Sequence, residues 1–135
     1  MWTSEGLHPA DGSDFSAWLC ATHRDHGDFT ALLVLVSIDG TKVTPAASTF
    51  LNIIGSEIGW ADMLGLLAGS GRRWDGACFF AQVESDGPLD NGAARARLRQ
   101  LEQRLSEDRL VLNEGAFFGR PGRRMEAEEV PGTTH

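Results

Sequence analysis

The chain contains no tyrosine, two cysteines, and no apolar run near the roughly 20 residues a membrane helix needs. Two thiols, Cys20 and Cys78, exclude a disulfide framework, and the setting "GACFF" around Cys78 suits a small core residue. The N-terminal stretch "MWTSEGLHPADGSD" has no basic patch followed by an apolar segment, and the other end carries no lipidation signal. A soluble chain of the cytoplasm with both cysteines reduced is expected. No phosphate loop, dinucleotide fingerprint or G-x-S-x-G elbow is present, so no cofactor is expected.

Positive charge is also short. The net charge is −7, which the phosphate lattice of a nucleic acid would repel. The expected partners therefore include neither nucleic acid nor membrane. Residues 1–71 hold eight acids against Arg24 and Lys42, giving −6; residues 72–124 hold ten arginines against eight acids, giving +2; three glutamates follow, giving −3. A length of 135 residues fits one domain, expected over residues 1–129, with residues 130–135 ("PGTTH" and the valine before it) as a disordered tail.

The apolar run "FTALLVLVSI", Phe29 to Ile38, predicts a strand covered on both faces. "TPAASTFLNIIG" then predicts a helix, with Thr44 as N-cap, Pro45 at the first position, Gly55 beyond the end, and Ala47, Phe50, Leu51 and Ile54 on one face. A second helix is expected from Ile58 to Ala68, capped by Gly69, and a strand from Gly76 to Glu84. Ala94, Leu98, Leu101 and Leu105 repeat at helical spacing behind Asp90 or Asn91, which marks a helix over residues 92–109. Strands are expected over Val111–Gly119 and, at an edge, over "RMEAEEV"; "FSAWLCATH" fits strand or helix, with strand preferred. This order predicts an α/β layered sandwich, with a mainly parallel or mixed sheet and an antiparallel C-terminal edge.

Three places can carry chemistry. In "CATHRDHGD", Cys20, His23 and His26 are zinc-ligand types spaced by three, with Cys78 or Asp28 as a fourth ligand. The absence of a second close pair favours a polar connection over a metal centre. In a parallel sheet, Asp39, Glu84 and Asp86 follow strand ends, where paired carboxylates can hold a divalent cation or do acid–base work. "GSGRRWDG" sets Arg72 and Arg73 in a glycine-rich turn able to hold an anion, but the glycines follow a helix instead of opening one.

Other surface features point to contacts with protein. Arg97 and Arg104 lie on the arginine-bearing helix, and Trp2 and Trp74 sit in polar contexts that suggest exposed indoles. With no coherent catalytic set, the reading is a protein-interaction or regulatory module that self-associates as a homodimer. Its binding residues are Arg72, Arg73, Trp74, Arg97 and Arg104. The alternative is a small enzyme that uses the strand-end carboxylates.

Overall fold

The computed structural model describes residues 12–84 and 87–127. Helix α1 spans Asp14–His26, and β1 (Phe29–Asp39) turns directly into β2 (Lys42–Ile53). Helix α2 (Trp60–Ala68) leads to β3 (Gly76–Gln82), and α3 (Asn91–Glu107) runs into a 3-10 turn at Arg109–Glu114, followed by β4 (Ala116–Gly119) and β5 (Arg124–Met125). The sheet order is β2-β1-β3-β4-β5, and every pair is antiparallel. A mainly parallel or mixed sheet is therefore wrong for this chain.

The overturning segment is Thr44–Gly55, which forms β2 and not a crossover helix. Asp39 pairs with Lys42 across a two-residue turn, and Gly40 there takes a φ of 61° that a side chain resists. Asp-Gly between apolar runs is the hairpin signal, and a hairpin forces antiparallel pairing. The helical spacing in β2 has a physical origin. Val36 faces Pro45 and Leu35 faces Ala47, so Ala46 is a bulged residue. It shifts the strand's alternation by one position. Val43 and Phe50 thus pack on one face and Ala47, Leu51 and Ile53 on the other, a set that mimics a helix stripe.

The segment preferred as a strand, "FSAWLCATH", is α1. Its ends decide it: the Ser13 hydroxyl accepts from the Ser16 amide at 3.0 Å, and Gly27 closes the helix with a φ of 77°. The expected strand over Val111–Gly119 begins as a 3-10 turn, because the Asp108 carboxylate accepts from the Leu110 amide and bends the chain; only Ala116–Gly119 joins the sheet. The expected edge strand "RMEAEEV" is paired only at Arg124–Met125.

The strand at Phe29–Ile38 matches expectation: β1 is buried from Phe29 to Val36 and lies between β2 and β3. Helices cover both of its faces. Phe15 and Leu19 of α1 and Trp60, Met63 and Leu67 of α2 pack on Ala31, Leu33 and Leu35; Leu101 and Leu105 of α3, with Val111 and Leu112, pack on Leu32, Val34 and Val36. Each such buried Leu or Phe contributes about 1.5–3 kcal/mol. The tail at 130–135 lies outside the described residues. No helix among the described residues is long and apolar enough to cross a membrane.

Candidate functional site

An antiparallel sheet separates the acids that a parallel one would have gathered. Asp39 ends β1, while Glu84 follows β3, whose Gln82 pairs with Thr30 near the start of β1. At 3.2–3.4 Å per residue, the two carboxylates lie at opposite ends of the sheet, about 30 Å apart. They cannot share a cation. Asp86 lies outside the described residues.

The zinc set does not assemble either. Cys20, His23 and His26 all lie on α1, which packs on one face of the sheet through Phe15 and Leu19, whereas Cys78 is buried on the opposite face. No cluster of three or more His, Cys, Asp or Glu suited to a metal occurs among the described residues. His23 instead joins Asp28 (Nε2 to Oδ1, 2.8 Å), and the same carboxylate oxygen accepts from the Gly55 amide at 3.0 Å. The Gly55 bond, then the His23 bond, holds the Asp28 carboxyl below the usual carboxylate range. This is a clip between the start of β1 and the end of β2. Burial pushes the Cys78 thiol up to about 12, and its Sγ donates to the Leu112 carbonyl, so it is an inert core group.

Trp74 is not an exposed anchor. It is 3 % exposed, edge-on to Trp60, with the Arg120 guanidinium 4.6 Å from its ring centroid. Its polar neighbours in sequence, Arg72 and Arg73, are exposed in the loop before β3. The expected binding residues therefore divide between the two sides of the sheet. Trp74 packs on the α1/α2 side, and Arg97 and Arg104 lie on α3.

Arg97 and Arg104 are brought together. Seven residues apart on α3, both line a groove of about 280 Å³ floored by Leu32 and Phe80. Each guanidinium is already matched within the chain. Arg97 contacts Gln82 Oε1 and Glu84 Oε2, each at 3.2 Å, and Arg104 meets Glu114 Oε2 at 2.5 Å, a contact that raises its pKa. Both half-exposed guanidinium groups thus have an acidic partner within the chain.

The feature missed by sequence reasoning is the outer edge of β2. This strand has twelve residues and ends the sheet, and among the described residues no strand pairs with its outer side. Its bonding groups there are a template for another strand. Lys42 and Pro45 blunt one end, and the bulge at Ala46 bends it, but Ser48–Ile53 is a regular stretch without charge, proline or glycine. Beside it lies a second groove of about 280 Å³, between β2 and α3, walled by Val34, Ala46, Ala47 and Leu105 and also by the polar Ser48 and Glu102. Just past the strand, Ile54 is 65 % exposed. The signal that could have found this edge is the Asp39-Gly40 hairpin. Comparison of the chain with family models, curated proteins and solved structures finds no match.

Proposed function

We propose that the protein is a self-associating interaction module of the cytoplasm, a homodimer formed when β2 pairs with β2 of a second copy. One observation carries this reading: a twelve-residue strand ends the sheet with half its length unblunted. Strand addition supplies main-chain hydrogen bonds in series, and the side chains on either face set which strand fits. Between Val43 and Ser56 there is no charged residue, so two copies oppose no like charges along the strand. The neutralised Arg97 and Arg104 leave charge steering a minor part of the attraction. Two free cysteines accord with a reducing compartment.

Sedimentation velocity at tens of micromolar tests the reading. The native chain should sediment at twice the 14.6 kDa of one copy. Thr49→Lys, at an exposed position of the edge, should give a single copy with an unchanged circular dichroism spectrum. A native chain that stays at one copy across the concentration range overturns the proposal.

A further inference from the structure

We infer that Arg72 and Arg73, together with Arg120, Arg123 and Arg124, form a docking surface for an acidic peptide segment of a partner protein. Gly76 pairs with Gly119, so the loop that enters β3 and the turn that leaves β4 stand side by side at one end of the sheet, about 5 Å apart at their strands. Arg72 and Arg73 lie on the loop, Arg120 and Arg123 on the turn, and Arg124 opens β5 opposite Phe118. All five are exposed. Strand β1 separates this surface from β2.

Both loops are fixed from beneath. The Gly119 amide donates to the Arg123 carbonyl (3.0 Å) and the Gly122 amide to the Gly119 carbonyl (2.9 Å), which closes the turn. The Phe15 amide and the Trp60 indole donate to the Gly122 and Arg120 carbonyls and hold the turn against both helices. The Arg120 guanidinium lies 4.6 Å from the ring centroid of buried Trp74 and donates to its carbonyl, while that of Arg124 lies 5.7 Å from the Phe118 centroid. Two guanidinium groups are therefore placed by aromatic faces before a partner arrives, which lowers the ordering cost of binding.

These arginines lack a carboxylate. Arg24, Arg97 and Arg104 each pair with an acid, whereas no acid among the described residues pairs with any of the five. The neighbouring Asp14, Asp62 and Asp75 are engaged otherwise: their carboxylates accept from the amides of Arg124, Gly59 and Ile38. Guanidinium forks match carboxylates in pairs, so a run of glutamates or aspartates is complementary to this surface. The three flanking acids also limit the partner's width. A duplex or an anionic membrane would lay its phosphates against them as well, on a chain of net charge −7. A short peptide segment need meet only the arginines, and Asp28, at the far end of β1, lies well beyond the screening length of about 8 Å.

Titration calorimetry with a hexaglutamate peptide at physiological ionic strength tests the surface. The native chain should bind one peptide per copy, and less tightly as salt is added. Arg73→Glu/Arg123→Glu changes side chains that make no hydrogen bond or ion pair among the described residues. It should raise the dissociation constant at least about tenfold and leave the circular dichroism spectrum unchanged. Arg95→Glu/Arg99→Glu makes the same change of charge on the exposed face of α3 and should alter the constant by less than about twofold. No binding of hexaglutamate, or an equal loss in the two double variants, overturns the proposal. Tighter binding to a DNA duplex or to phosphatidylserine vesicles than to the peptide overturns the choice of partner.

Discussion

The two edges of the sheet are built by opposite rules. At one edge, β5 has two paired residues, and its surroundings are tied down from several directions. The Asn113 side chain exchanges two 2.7 Å bonds with the Ala127 backbone, the Arg124 amide donates to Asp14, and the Trp60 indole donates to the Arg120 carbonyl. At the other edge, β2 has twelve residues and its interactions run inward, to β1 and α3. The comparison sets an edge tied down by side-chain bonds against one left open. Groups that would accept a stray strand are short or covered on the β5 side, and open on the β2 side.

This division is tested first where it should cost most. Phe118, fully buried in β4, packs against Phe15, Trp18, Trp60 and Phe79. Phe118→Ala should cost about 3–5 kcal/mol in urea unfolding. A loss near zero would mean that the closed side does not carry the fold. Trp60→Phe keeps most of the ring but removes the donor to Arg120, and should cost about 1 kcal/mol by the same measurement. On the open side, Thr49→Lys should change monomer stability by at most about 0.5 kcal/mol while abolishing association. A larger loss of stability would show that this edge is part of the fold after all. Arg104→Ala breaks only an exposed ion pair and should cost at most about 1 kcal/mol.

The smallest effect concerns pH. Asp28 clips the far end of β2 to β1, and its folded pKa lies below the ordinary value of 3.8. A carboxylate with a depressed folded pKa adds stability above its unfolded pKa and loses it as pH falls through the folded one. Native chain and Asp28→Asn should therefore differ in thermal midpoint at neutral pH, the native form higher. The gap should begin to narrow near pH 3.8 and close as pH falls below the folded pKa. A gap that persists undiminished into that range would assign the clip's effect to shape and not to charge.

Much of the fold was legible where one element satisfied one rule throughout its length. Phe29–Val36 has no polar face to expose, and Ala94, Leu101 and Leu105 mark a single stripe of α3. β2 was illegible because a bulge changes its phase partway along, and sequence periodicity reads phase. In α1, the spacing of Phe15, Trp18 and Leu19 suits two structures, and the decisive information lay in Ser13 and Gly27 at the ends. The candidate site divides in the same way. That Arg97 and Arg104 share a helix face follows from their separation of seven residues. Their neutralisation by Glu84 and Glu114 depends on partners the chain brings back from elsewhere, as does the burial of Trp74 beneath Arg120.

The brevity of β5 also governs stoichiometry. A strand added head-to-tail would need a receiving edge of comparable length on the opposite side of the sheet, and two paired residues offer none. Among the described residues, β2 meeting β5 would therefore find no receiving edge of matching length. In the proposed dimer, with β2 occupied by a second copy, the only other sheet edge among the described residues is the two-residue β5.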